Sequence, residues 1–329
     1  MQRSVSLACP FYNEGGSVPL FFARVVPVLE SLGLPFEIVC VNDGSSDTTL
    51  EELLRAQTAD SRIVVVDLSR NFGKEAALTA AIDHARGDAV IPIDADLQDP
   101  PELIPELVSK WREGYEVVVA RRVNRDSDGL FKRLTSGWFY RLHNSIAEID
   151  VPANVGDFRL MDRRVVENLK TLPERRRYMK GLFAWVGFRT AMVEYARDYR
   201  AAGTTKFSGW RLWNLALEGI TSFSTVPLRL WTYIGCAVAL LSFLYGSFIV
   251  LRTLILGIDV PGYASLLSVV LFLGGIQLIG IGVLGEYIGR IYSETKQRPV
   301  YVVRDVFGGS HESRPVSGDG PDPKRALVV

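Results

Sequence analysis

Ala89-Val90-Ile91-Pro92-Ile93-Asp94-Ala95-Asp96-Leu97-Gln98-Asp99 is the stretch that decides the fold of this chain. Its first five residues read as a buried strand, and the run stops abruptly in carboxylates. Alternation along an extended backbone sends Asp94 and Asp96 to the same side. Two carboxylates at that spacing can grip a hard divalent cation and leave positions free for phosphate oxygens. Asp-x-Asp alone is common in surface loops, so its weight depends on its surroundings.

Those surroundings alternate strand and helix. Upstream lie Val5–Cys9, Phe36–Val41 and Ile63–Leu68, all short apolar or β-branched runs, and downstream lies Tyr115–Ala120. Between them, Val18–Leu32, Thr48–Ala59, Lys74–Arg86 and Pro101–Glu113 read as helices, punctuated by Gly87 and Gly114. Continuous Val/Ile strands alternating with helices predict a mostly parallel sheet covered on both faces. Ligands of such sheets gather at the carboxyl ends of the strands. Here those ends carry Pro10–Glu14, Asn42–Asp47, Arg70–Lys74 and Asp94–Gln98, a polar and acidic edge suited to a nucleotide. No Gly-x-Gly-x-x-Gly follows the first strand, which argues against a dinucleotide oxidoreductase.

Composition narrows the classes further. The 329 residues are 48% hydrophobic and carry a formal net charge of zero. No basic field is available for nucleic acid, so that partner is excluded. Cys9, Cys40 and Cys236 form no CxxC pair and read as small buried hydrophobes. His84, His143 and His311 stand in no ligand or nucleophile spacing. The start runs directly into a strand without a signal-like apolar segment, which predicts a cytoplasmic front.

The remaining chain changes character. Residues 121–199 are polar, with basic clusters at Arg121-Arg122, Lys132-Arg133, Arg163-Arg164 and Arg175-Arg176-Arg177. Phe207–Phe223 places Trp210, Trp213, Leu217 and Ile220 at helical spacing, the pattern of an amphipathic helix in a membrane interface. Leu230–Leu251 and Tyr263–Leu284 carry no charged residue and are long enough to cross a bilayer. Gly274, Gly275, Gly280, Gly282 and Gly285 suit close helix packing. Lys206, Arg211 and Arg229 precede the spans, and Arg290, Lys296, Arg298 and Arg304 follow them, so both ends are expected in the cytoplasm. After about Val306 the tail is expected to be disordered.

Taken together, Pro10-Phe11-Tyr12-Asn13-Glu14, Val41-Asn42-Asp43-Gly44-Ser45-Ser46-Asp47, Asn71-Phe72-Gly73-Lys74, Asp94-Ala95-Asp96-Leu97-Gln98-Asp99 and Gly156-Asp157-Phe158-Arg159-Leu160 carry a specific resemblance. The chain resembles the family 2 glycosyltransferases of GT-A fold, in the subgroup that glycosylates polyprenyl phosphates. Dolichol-phosphate mannose synthases and bactoprenol glucosyltransferases belong there, and the two C-terminal spans are similar to those of the latter. The resemblance implies an α/β GT-A catalytic domain over 1–205, an interfacial helix over 206–228, two transmembrane helices over 229–290 and a cytoplasmic tail over 291–329. It implies transfer of one sugar, glucose by preference, from a UDP-sugar to polyprenyl (undecaprenyl) phosphate with inversion. The setting would be the cytoplasmic face of the inner membrane, in a homo-oligomer that contributes to cell-surface glycan modification.

It also implies roles. Pro10, Tyr12, Glu14 and Asp43 would line the nucleoside pocket, with Lys74 beside the nucleotide. Asp94, Asp96 and Gln98 would bind Mg²⁺ or Mn²⁺, with Ala95 between them at the donor. Arg200 and Lys206 would close over the phosphates, and Arg122, Arg133 and Ser136 would hold the acceptor phosphate. Asp157 would be the catalytic acidic residue. An acceptor phosphate monoester has a second pKa of about 6. It is largely ionised at neutral pH, so Asp157 is expected to orient the acceptor more than to deprotonate it.

Two alternatives share the pattern. A processive polysaccharide synthase would carry Gln-x-x-Arg-Trp, yet no glutamine occurs between Gln98 and Gln277. A catalytically silent membrane scaffold would have no reason to keep Asp94, Asp96 and Asp157 intact.

Overall fold

A computed structural model describes residues 3–122, 155–175, 177, 179–195, 226–256 and 262–309. The strands are β1 Val5–Phe11, β2 Phe36–Asn42, β3 Ile63–Leu68, β4 Ala89–Pro92, β5 Val117–Arg122, β6 Val155–Asp162, β7 Thr190–Tyr195 and β8 Val303–Phe307. The helices are α1 Val18–Ser31, α2 Thr49–Ala59, α3 Lys74–His84, α4 Ile104–Arg112, α5 Arg163–Thr171, α6 Met179–Trp185, α7 Val226–Leu256 and α8 Tyr263–Thr295. The chain divides into two compact units. One comprises Met1–Ser109, Leu160–Arg163 and the segment from Tyr301 onward; the other comprises Lys110–Arg159 and Arg164–Val300.

In the first unit β1 lies between β2 and β4, and β3 lies beyond β2, all parallel. Antiparallel strands close both sides: β8 on β3, and the last residues of β6 on β4. The α/β, mostly parallel GT-A sheet read from the sequence is therefore present. Helix α1 buries Val18, Phe21, Val25 and Leu29, one stripe at helical spacing, and Phe21 meets Phe11 edge to face at 5.4 Å. Helix α3 is buried continuously from Ala76 to Ile82, and its alanines let it lie close against β1 and β2.

Two local expectations shift. β1 does not stop before Pro10; it runs through to Phe11, with Pro10 aligned to Val41. The β4 ladder reaches only Ala8↔Pro92, so the missing Pro10 N–H falls where a single neighbour pairs. The segment after α8 also holds more than a tail. Residues Val303–Phe307 form β8, which the sequence reading does not contain, and the part of the tail expected to be disordered beyond residue 309 lies outside the described residues.

In the second unit β5 and β7 pair in parallel, and Arg121 is joined to Glu194 across them at 2.6 Å. Helices α7 and α8 run past the expected spans, which began at Leu230 and ended at Leu284. Among the described residues one helical stretch, Phe272–Thr295, is apolar and long enough to cross a membrane, with mean hydropathy 1.4 and none of it buried in protein. Of the five glycines expected at a helix contact, Gly280 is set against α7: a Cβ there would lie 3.7 Å from the Trp231 ring. A Cβ at Gly274, Gly275, Gly282 or Gly285 would meet nothing within 4 Å, because those positions face other sides of the helix.

Candidate active site

The carboxyl ends of β1, β2 and β4 and the start of α3 surround one cleft of about 320 Å³ in the first unit. Pro10, Tyr12, Glu14, Asp43, Lys74, Asp94, Ala95 and Asp96 all line it, so eight of the sequence-selected residues converge. The edge arises because parallel strands in register all end at one level, and each hands over to a polar loop before its helix.

Each loop is held by side-chain bonds to backbone. Asn13, with φ 53, accepts from Ser46 N at 2.9 Å while its own N–H donates to Ser45 Oγ at 3.0 Å. Thr49 Oγ1 accepts from Glu14 N at 2.8 Å. The Asp43 carboxylate accepts from Phe72 N at 2.7 Å with one oxygen and from Gly73 N at 3.0 Å with the other. Asp43 is 2% exposed, and burial pushes its pKa up; the Phe72 and Gly73 amides and the Arg70 charge partly oppose this. Asp43 is thus the post that holds the β3–α3 loop, and each oxygen retains a second lone pair. Gly44, φ +61, follows it; a Cβ there would lie 2.4 Å from the Arg70 carbonyl carbon, so only glycine lets the two loops touch.

The acidic pair reaches the cleft by a route the sequence does not show. β4 ends at Pro92, and Ala95–Asp96 forms a turn, with Leu97 at φ 53, so extended alternation does not apply. Gln98 N–H donates to Asp96 Oδ1 at 3.1 Å, a local bond that shapes the turn. Gln98 itself is only 8% exposed. Asp94 is half-buried and Asp96 exposed, over a buried Ala95. The Lys74 ammonium lies 2.8 Å from Asp94 Oδ2. Beneath them, burial pushes the Cys9 thiol well up, and the nearby Cys40, Asp94 and Asp96 add to the effect, so Cys9 is an inert part of the core.

Among the described residues no three His, Cys, Asp or Glu side chains cluster to hold a metal. Asp94 and Asp96 nevertheless fit a hard cation that completes its shell from water and substrate phosphate, the usual habit of Mg²⁺. Asn71, Gly73, Phe11 and Ala77 also line the cleft. The motif Asn71-Phe72-Gly73-Lys74 was the signal for the first two, although only Lys74 was singled out within it.

The second unit contains Asp157 and Arg159, two positions apart on β6. Arg159 is 5% exposed, donates from Nη2 to Gly156 O at 2.8 Å and lies 4.1 Å over the Phe183 ring. Burial pulls its pKa down to about 10, and the Asp157 carboxylate partly restores it. Arg122 is the last residue of β5, aligned with Tyr195. Two of the basic clusters noted in the sequence make structural bonds. Arg163 donates to Gly87 O at 2.9 Å, and Arg175 donates to Arg298 O at 2.8 Å and through its backbone N to both Glu294 oxygens. Arg133, Ser136, Arg200, Lys206 and the expected helix Phe207–Phe223 lie outside the described residues.

Two family models and several known proteins are similar to this chain. Residues 6–170 match the model described as glycosyl transferase family 2, and residues 226–291 match that of the GtrB C-terminal hairpin. The bactoprenol glucosyl transferase of Shigella phage SfII is 55% identical over 306 residues, 93% of this chain and 99% of that one. A glycosyltransferase of Synechocystis sp., itself described as uncharacterized, is 55% identical over 94% of this chain and 97% of its own length. A putative glycosyltransferase of Bacillus subtilis is 43% identical over 93% of this chain and 92% of its own.

Proposed function

The chain belongs to glycosyl transferase family 2 and is a glycosyltransferase; from that premise we propose that it moves one glucose from UDP-glucose onto the phosphate of a polyprenyl lipid, with inversion. The observation that carries the donor half is the cleft lined together by Tyr12, Asp43, Lys74, Asp94 and Asp96. The acceptor half rests on the relatives named bactoprenol glucosyl transferases, which extend through the C-terminal hairpin.

Each residue has a task in this reading. The Tyr12 ring, 49% exposed, offers a face to the base, and Asp43 holds the loop against which base and ribose settle. Pro10 and Glu14 complete that wall. Asp94 and Asp96 hold a divalent ion, Mg²⁺ or Mn²⁺, and Gln98 steadies Asp96 through its backbone. The ion supplies Lewis-acid stabilisation of the negative charge that gathers on the departing diphosphate. Lys74 adds a positive charge at the same place, its ammonium already 2.8 Å from Asp94. Arg200 and Lys206 close over the donor phosphates, and Arg122, Arg133 and Ser136 hold the acceptor phosphate. Asp157 orients the acceptor oxygen, which is largely ionised near neutral pH because its second pKa is about 6.

Helices α7 and α8 anchor the enzyme where its lipid acceptor lies. At 1.5 Å per residue they measure about 46 Å and about 50 Å, longer than a hydrocarbon core of about 30 Å, so each is long enough to span. Basic residues flank the pair on the outer sides, which favours a cytoplasmic catalytic domain at the inner membrane.

The test is transfer of radiolabelled sugar from UDP-glucose to undecaprenyl phosphate, in detergent with Mn²⁺. Label is expected in the organic-extractable lipid, and its appearance is expected to fail after chelation or in Asp94→Asn. Absence of label with every common UDP-sugar sinks the proposal.

A further inference from the structure

We propose that Arg304, on the strand that follows the membrane helices, is a positioning residue for the nucleotide pocket; the inference rests on the donor-site reading above. β8 pairs with β3 at Val65↔Phe307, Val66↔Val306, Asp67↔Asp305 and Leu68↔Val303, so Arg304 is the extra residue of a β-bulge. Bulges re-aim side chains and gather beside functional sites. Here the guanidinium turns onto the end of β3. Arg304 Nη1 lies 3.2 Å from Asp67 Oδ2, and Nη2 donates to Ser69 O at 2.8 Å.

Asp67 is a carboxylate with a 3% exposed side chain, and a charge so placed requires partners. Its other oxygen, Oδ1, accepts from Asn42 Nδ2 at 2.7 Å. Asn42, 2% exposed, in turn accepts from Ser45 N with Oδ1 at 3.3 Å. One residue on, Asp43 holds the Phe72 and Gly73 amides, and Gly73 leads into Lys74. Arg304 therefore fastens the end of β3 directly and the end of β2 through Asp67 and Asn42. Those are the two loops that line the cleft through Asp43, Asn71, Gly73 and Lys74. Two further bonds keep the strand in place: Ser69 N donates to Val302 O at 2.9 Å, and Tyr301 OH donates to Asp83 Oδ2 at 2.9 Å. The strand thereby braces two loops of the donor site without lining the cleft itself, and the enzyme needs its C-terminal residues for nucleotide binding.

The experiment compares the full-length protein with Arg304→Gln, Arg304→Lys and, as a charge control, Arg55→Gln, whose side chain is 74% exposed on α2. Two quantities are read in folded protein: amide hydrogen exchange over residues 70–73, and the dissociation constant of UDP with Mn²⁺ by calorimetry. Hydrogen bonds to charged groups are worth enough that Arg304→Gln is expected to speed exchange of Phe72 and Gly73 about tenfold and to weaken UDP about fivefold or more. Arg304→Lys recovers part of both effects, and Arg55→Gln changes neither. Kinetically, the KM for the donor rises while that for the lipid acceptor stays. Unchanged exchange at residues 70–73 overturns the proposal. So does faster exchange with undiminished UDP affinity, which leaves Arg304 a purely structural clamp. Failure of the wild type to bind UDP overturns both the donor-site reading and this role for Arg304, whereas binding of UDP without sugar transfer overturns the proposed reaction alone.

Discussion

Gly44→Ala separates backbone strain from loop contact, because the chain supplies its own control. Gly44 and Gly33 have nearly the same left-handed conformation, φ +61 and φ +62. A Cβ at Gly33 meets nothing within 4 Å, whereas at Gly44 it would lie 2.4 Å from Arg70 C and 2.5 Å from Asn71 N. Gly33→Ala therefore carries only the left-handed penalty, roughly 1–2 kcal/mol. Gly44→Ala carries that penalty and must also push the 70–71 backbone back by about 1 Å to reach ordinary contact. Part of that shift carries into the bonds from Phe72 N and Gly73 N to Asp43, now 2.7 and 3.0 Å, and stretches them toward the limit of hydrogen-bond range. Partial loss of two bonds to a buried carboxylate adds about 2 kcal/mol or more, for a total of roughly 3–4 kcal/mol. Thermal unfolding in detergent, at one scan rate, is expected to show a fall of about 2–5 °C for Gly33→Ala and about 6–10 °C for Gly44→Ala. The donor KM should rise in Gly44→Ala alone, with the acceptor KM unmoved. Equal melting shifts in the two variants, with an unaltered donor KM in Gly44→Ala, refute the coupling between the β2 and β3 loops.

Lys74→Met is expected to leave melting within about 3 °C, because the Lys74–Asp94 pair is more than a third exposed on both sides and such pairs contribute little stability. Its turnover with UDP-sugar should nevertheless fall about tenfold or more, since in the proposed reaction the same charge faces the leaving diphosphate; steady-state kinetics beside a melting curve decides between the two. Asp157→Asn tests orientation against proton removal through turnover across pH: a loss at all pH values supports orientation, and a loss confined to low pH, where the acceptor carries its second proton, supports a base. Part of the acid stability comes from Asp60, whose pKa is held below its ordinary value first by the Arg62 side chain. Its contribution is present above that unfolded value and is lost as pH falls through the lower folded one. Asp60→Asn should therefore lower melting at neutral pH and flatten the acid fall, measured from about pH 7 down to pH 3. Asp43 acts in the opposite sense, because burial raises its pKa: its ionised form costs stability that appears as pH rises past 3.8.

What the sequence by itself determined is what local pattern can carry. Runs such as Phe36–Val41 and Ala89–Ile93, each followed by a polar loop and a helix, specify parallel strands whose ends lie side by side, because a right-handed crossover leaves few other arrangements. Pro10, Tyr12, Asp43, Lys74, Asp94 and Asp96 were legible for that reason: Pro10 is the penultimate residue of β1, Tyr12, Asp43 and Asp94 stand just past a strand, Asp96 follows Asp94 in the same loop, and Lys74 starts a helix. Tertiary structure decided the rest. Val303-Arg304-Asp305-Val306-Phe307 carries two charges in five residues and has no apolar run to announce a strand; it is one because the edge of β3 offers unpaired backbone groups. That Asp43 holds two amides 29 and 30 residues away, and that Asp67 joins Asn42 to Arg304, are bonds between distant parts of the chain with no local signature. Asp94 and Asp96 line one cleft, but not through the strand alternation read from the sequence. Their placement comes from a turn at Ala95–Asp96, the left-handed Leu97 after it and the bond from Gln98 N–H, and a left-handed residue of that kind is chosen by its surroundings more than by its own side chain.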